Sequence, residues 1–198
     1  MLFGGGFAGI ENLKSSFMID YRNVLQEIRD IQSNKITLIA IDGVAGSGKT
    51  TLALKLAKDL TDSSVVHMDD LYDGWNNPLS QKLTARVISQ LLEPSSKLLP
   101  VTYQIFDWKL NRFTDFKTIT QSKYLILEGV GAAQREFRPY INKIIWIECD
   151  PNLGFNRVIS RDGKQVEQEM IKFLIDQNNH FLMELSKNVA DYTLNGAP

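Results

Sequence analysis

Gly43-Val-Ala-Gly-Ser-Gly-Lys-Thr50 stands between an apolar run, Ile36-Thr-Leu-Ile-Ala-Ile41, and a helix-forming stretch, Thr51-Leu-Ala-Leu-Lys-Leu-Ala57. This is the G-x-x-x-x-G-K-[ST] phosphate loop in the strand, loop, helix order that it requires. The glycines let the backbone curl until successive N–H groups face one anion, and the helix N-terminus adds roughly half a positive charge. A nucleoside triphosphate belongs there, with ATP the expected ligand. Gly43, Ala45, Gly46, Ser47, Gly48, Lys49, Thr50 and Thr51 are the expected binding residues. Lys49 has the reach for the β- and γ-phosphates, the amides of residues 45 to 51 are expected to hold the β-phosphate, and the Thr50 hydroxyl suits Mg²⁺.

Bulk properties narrow the field around that loop. The 198 residues fit one α/β domain with a well-buried core. Twenty-two Lys and Arg balance 23 Asp and Glu to a net charge of -1, which is not the electrostatic footprint of a nucleic-acid binder. No apolar stretch approaches the roughly 20 residues of a membrane span. The single cysteine, Cys149, reads as a small core residue, and a cytoplasmic setting is expected. Met1-Leu-Phe-Gly-Gly-Gly-Phe-Ala-Gly-Ile10 lacks the basic start and cleavage site of a secretory signal and reads as an arm docked through Phe3 and Phe7. Oligomeric state is open, and a homodimer is compatible with the sequence.

After the arm, Phe17, Tyr21, Val24, Leu25, Ile28 and Ile31 recur at helical spacing. Residues 1–35 thus form an arm and a helix ahead of a domain over 36–198. Strands are expected at 36–42, 64–69, 123–128, 143–149 and 191–194, and helices at 49–60, 82–93, 151–160 and 166–187. Most of the strands are continuous apolar runs, the mark of parallel strands covered on both faces. Strand and helix in alternation predict a parallel sheet with its site at the strands' C-terminal edge. Residues 73–80 and 94–122 break the rhythm and read as loops facing a substrate.

Several side chains should meet at that edge. Glu128 ends an apolar strand and is the expected carboxylate linked to Mg²⁺, an ion that takes one or two acids and keeps several waters. Asp69 and Asp70 end the second strand; if Asp69 continues its inward face, it can accept the proton of an acceptor hydroxyl. Tyr103-Gln-Ile-Phe-Asp-Trp-Lys-Leu-Asn-Arg112 interleaves aromatics such as Trp108 with Asp107, Lys109 and Arg112, which suits a small polar ring system. Arg157 and Arg161 lie one helical turn apart beside Gly163 and could close over phosphates, Arg161 at the transferred group. His67 and His180 are isolated, so no His/Cys zinc set is expected; His67 reads as packed or as backing another group.

Taken together, Ile41-Asp-Gly-Val-Ala-Gly-Ser-Gly-Lys-Thr-Thr51, Met68-Asp-Asp-Leu-Tyr72, Phe106-Asp-Trp108, Leu127-Glu-Gly-Val130 and Arg161-Asp162 resemble the uridine kinase-like branch of the P-loop nucleoside kinases. The resemblance covers roughly residues 36 to 196. It implies the α/β P-loop NTPase fold, a five-stranded parallel sheet in the order 2-3-1-4-5 flanked by helices, with a small lid. It further implies transfer of the ATP γ-phosphoryl to a nucleoside 5'-hydroxyl, with Asp69 as proton acceptor, Tyr72 as the aromatic on the substrate side, Glu128 linked to Mg²⁺, and Arg157 and Arg161 as lid arginines. A shorter stretch where the family has its base-binding hairpin, a lid with fewer arginines, and Asp70 in place of a small residue are departures that bear on the acceptor. A kinase for a sugar or a pantothenate-like alcohol, and a nucleotide-binding regulatory module without transfer, are the alternatives. No D-x-x-G follows the Glu128 strand and no N-K-x-D is present, which speaks against a GTPase switch.

Overall fold

The structure, a computed structural model, describes residues 21–120 and 122–196. The arm with Phe3 and Phe7, and Phe17 of the first helix, lie outside the described residues. The central strand β1 (Thr37–Gly43) is buried at every position. It pairs in parallel with β5 (Tyr124–Glu128) on one side and β6 (Lys143–Glu148) on the other. Strand β2 (Ser63–His67) flanks β5 and β7 (Tyr192–Asn195) flanks β6, so the order is β2-β5-β1-β6-β7. Counted among themselves, the five parallel strands run 2-3-1-4-5.

Alternate residues of β1 serve opposite layers. Ile39 and Ile41 pack with Val24 and Ile28 of α1 (Tyr21–Arg29) and with Ala53 and Leu56 of α2 (Lys49–Leu60). Leu38 and Ala40 face Leu83 and Val87 of α3 (Gln81–Val87), together with Leu91, Leu127 and Phe137. Helix α3 continues through a π turn (Ile88–Leu92) into the short α4 (Glu93–Ser96), where Pro94 sits in the first turn. Helix α5 (Pro151–Asp162) starts from Asp150, whose side chain caps Leu153 N, and ends at Gly163. Helix α6 (Glu167–Glu184) stops where Leu185 turns left-handed (φ 55°), and the short α7 (Ser186–Val189) follows. Among the described residues no helix is long and apolar enough to cross a membrane.

Two expectations are corrected. The second strand ends at His67 rather than at 69, because Met68–Asp70 wind into one 3₁₀ turn closed by Leu71 N on Met68 O at 2.9 Å. Residues 94–122 are not a loop throughout: β3 (Val101–Asp107) and β4 (Arg112–Ile119) form an antiparallel hairpin. Its strands are stitched by Thr102 and Thr118 hydroxyls 3.0 Å apart and by Phe106 edge-on to Phe113 at 5.2 Å. One face of this hairpin lies against the 3₁₀ turn and the other meets solvent, so apolar and polar residues alternate in it, the antiparallel pattern, unlike the continuous apolar runs of the parallel strands.

Candidate active site

The phosphate loop spans the gap between β1 and α2. Gly48 caps α2 in the left-handed region (φ 96°), and the first helical bond runs from Leu52 N to Gly48 O. The N–H groups of Lys49, Thr50 and Thr51 therefore have no helical acceptor, the usual source of an anion site. Two other amides of the loop are spoken for within the protein. Ala45 N donates to Gln177 Oε1 at 2.7 Å and Ser47 N donates to Val44 O at 3.1 Å, so the amides of 45 to 51 do not act as one set. Gly46 (φ 73°) passes so close to α5 that a Cβ on it would lie 2.1 Å from Gly154 O. Conversely, a Cβ on Gly154 would lie 2.3 Å from Ala45 O, so loop and helix touch backbone to backbone. Lys49 is buried and donates to Gly43 O (2.9 Å) and Val44 O (2.7 Å). Burial pulls its ammonium below the ordinary lysine value, against the opposing pull of Asp42, Glu128 and Asp69.

A cavity of about 880 Å³ opens over the loop. Ala45, Gly46, Gly48, Lys49, Thr50, Thr51 and Arg157 line one half of it, whereas Gly43 and the buried Ser47 do not line it. At its floor Thr50 Oγ1 donates to Glu128 Oε1 at 3.0 Å, and His67 Nδ1 meets the same oxygen at 2.5 Å. This hydrogen bond to a carboxylate is the first cause that holds the His67 imidazole above its ordinary pKa. One hydroxyl beside one carboxylate suits Mg²⁺, which keeps most of its water, whereas among the described residues no three His, Cys, Asp or Glu gather as a metal cage. Thr50 and Glu128 thus fit the ion that the sequence assigns to them.

Asp69 sits on the 3₁₀ turn, where it lines the cavity and is exposed to solvent. Crowding by the protein around the cleft first, and the Glu128 carboxylate second, raise its carboxyl above the ordinary aspartate value, while Lys49 and Arg161 pull it down. Asp70 turns toward the hairpin instead, 3.5 Å from the Tyr103 hydroxyl and 3.9 Å from Lys117 Nζ. From α5, Arg157 Nη1 reaches Gly46 O at 3.5 Å. Arg161 is clasped by both oxygens of Asp162 at 2.7 Å, which is the first cause of its raised pKa, and both residues line the cavity.

The far half of the cavity is aromatic. Tyr72 is buried with its hydroxyl donated to Val130 O at 2.7 Å, so it offers its ring rather than its oxygen. Trp75 lies 5.1 Å from Trp108 and 6.2 Å from Phe173, ring centre to ring centre. Trp108 Nε1 donates to Asp69 O at 3.1 Å. Asp107 and Arg112 do not join this wall. Asp107 Oδ1 accepts from Lys109 N (2.8 Å) and Leu110 N (2.9 Å), closing the hairpin turn, and Arg112 is exposed where β4 begins.

Four further participants stand outside the residues expected from the sequence, three of them with no local signature there. Asp42 is fully buried and accepts from Gly43 N, Gly131 N and Ala133 N at 2.8 to 3.0 Å, which fixes the segment after Glu128. Gln177 holds Ala45, Gly154 admits the phosphate loop, and Trp75 completes the aromatic wall; the tryptophan was within reach of a search for aromatics in the 73–80 segment.

The parallel sheet, the loop at its centre and the cleft at the strand ends define a P-loop NTPase. Residues 39–179 match the AAA_18 family, described as an AAA domain, and the chain belongs to that family. It is similar to uridine-cytidine kinase C of Dictyostelium discoideum, 23% identical over 157 residues that cover 73% of this chain and 34% of that protein. The chain therefore spans about a third of that relative's length. It is also similar to uridine kinase of Latilactobacillus sakei subsp. sakei (strain 23K), 23% identical over 174 residues, 78% of this chain and 82% of that protein. Among solved structures, a possible uridine kinase from Bacillus stearothermophilus superposes with a TM-score of 0.65 at 19% identity, covering 87% of this chain and 96% of that one. The chain has the fold of the P-loop kinases.

Proposed function

We propose that the chain transfers the terminal phosphoryl group of ATP to a hydroxyl of a small acceptor, a nucleoside first among the candidates. The observation that carries this reading is the shared cavity: Lys49, the Thr50–Glu128 pair, Arg161 and Asp69 open onto one space whose opposite half is walled by Tyr72, Trp75 and Trp108. In that space Asp69 accepts the acceptor's hydroxyl proton, a role its raised carboxyl pKa favours, as the new oxygen–phosphorus bond forms and the bond from the γ-phosphorus to the β-phosphate's bridging oxygen breaks, ADP leaving. Lys49 exchanges the Gly43 and Val44 carbonyls for phosphate oxygens, and Arg161, oriented by Asp162, balances charge on the transferred group. Mg²⁺ at Thr50 and Glu128 would supply the remaining neutralisation of the phosphates. The aromatic wall suits a planar ring, which is the reason to place a nucleoside there.

A second reading, a kinase for another small alcohol such as a sugar or a pantothenate-like compound, is favoured by the absence of Asp107 and Arg112 from the wall, which leaves few polar groups to read a base. An ADP-release screen over nucleosides, sugars and pantothenate, followed by mass measurement of the product, decides between them. A phosphorylated nucleoside is the expected result; ADP release with no acceptor consumed would defeat both readings.

A further inference from the structure

Gln177 is fully buried on α6, yet it is polar and far in sequence from the loop it touches. Its Oε1 takes the Ala45 N–H at 2.7 Å, and its Nε2 is buried with no hydrogen-bond partner among the described residues. A buried amide is tolerated where one of its bonds is needed, and here the bond fixes a backbone group inside the phosphate loop. A loop whose amides must converge on one anion needs each turn held, and amides bonded elsewhere need acceptors that do not repel the anion. A neutral carbonyl oxygen meets that need beside a polyanion; a carboxylate in the same place would oppose it.

The same helix reaches two other parts of the cleft. Met170 and Phe173, two turns and one turn before Gln177, line the cavity. His180, one turn after it, packs against Gly131, where a Cβ would lie 3.2 Å from its Nε2. One rigid element thus abuts the acceptor half, the phosphate loop and the segment that follows Glu128.

We propose that Gln177 is a positioning residue for the nucleotide: by engaging Ala45 N–H it sets the turn from which the amides of Lys49, Thr50 and Thr51 face the phosphates. The inference rests on the nucleotide-binding reading given above and deepens it. Gln177→Met keeps the length and fills the site but removes the acceptor oxygen, and along with it the unpartnered Nε2, so the fold is retained. Titration calorimetry with MgADP should show the Kd rising about tenfold, with near-ultraviolet circular dichroism unchanged. In turnover assays the KM for ATP rises in step while kcat stays within about threefold. Unchanged MgADP affinity in a folded Gln177→Met overturns the inference, as does a lowered melting temperature with affinity kept. Should that variant fail to fold, Gln177→Asn, which keeps an amide but stops one methylene short of Ala45, is read by the same titration with the same expected loss. Failure of the wild-type chain to bind MgADP overturns the nucleotide reading and this inference with it, whereas wild-type binding with unaltered variants overturns the inference alone.

Discussion

His67 Nδ1 stands 2.5 Å from Glu128 Oε1, the oxygen that also receives the Thr50 hydroxyl at 3.0 Å. The imidazole comes from the end of β2 and the carboxylate from the end of β5, which are paired in register at this point. Glu128 is buried, so its orientation is set by these two partners rather than by water. Side chains that orient a metal's carboxylate typically matter 10- to 100-fold. His67→Ala should accordingly raise the Mg²⁺ concentration for half-maximal turnover by about 10- to 100-fold, and a magnesium titration at saturating nucleotide measures it. An unshifted midpoint would place His67 outside the site's working parts.

Asp69 is predicted to govern the acid limb of the pH–rate profile. Its carboxyl lies above the ordinary aspartate value, so it is protonated, and turnover is lost, as pH falls through that raised pKa. The limb should therefore sit above the roughly 3.9 of an unperturbed aspartate. Asp69→Asn should lower kcat by about 10²- to 10⁴-fold and abolish the limb while leaving nucleotide affinity nearly unchanged. Full turnover in Asp69→Asn would move the proton-accepting role elsewhere, Asp70 being the first place to look.

Gly154→Ala sets two effects against each other. Alanine in a helix interior gains about 1 kcal/mol over glycine. The new Cβ, however, would lie 2.3 Å from Ala45 O, a backbone atom in a loop already held by Gln177. Overpacking of this kind costs about 1–3 kcal/mol, and since neither backbone can yield cheaply, a net loss is expected. Urea unfolding of the variant gives the answer; a stabilised Gly154→Ala would mean that loop and helix separate readily in solution.

What the sequence disclosed and what it withheld follow the range of the interactions. The phosphate loop, the parallel strands and Glu128 are legible because each is written in adjacent residues: glycines at fixed offsets, unbroken apolar runs, an acid at a strand end. Gln177 and Ala45 are 132 residues apart, and nothing near a glutamine inside an amphipathic helix says that its oxygen will meet a loop amide. Gly154 looks like an ordinary weak point of a helix until the loop's backbone is laid against it. The hairpin is harder to read than the parallel strands because its alternation is broken by an irregularity between Gln104 and Phe106 and because β4 carries charges beside its aromatics. Asp107 lies outside the cavity lining for a local reason: an aspartate at the head of a turn readily bonds the turn's own amides, and here it does.

The bond from Trp108 Nε1 to the Asp69 carbonyl ties the hairpin that walls the cavity to the residue proposed as proton acceptor. Lengthening, trimming or exchanging the hairpin would reshape that wall, and here any such exchange also unfastens the backbone of Asp69. A descendant of this chain adapting to a bulkier acceptor must keep an indole, or an equivalent donor, at the hairpin tip, and is freer to vary at Trp75, across the ring from it.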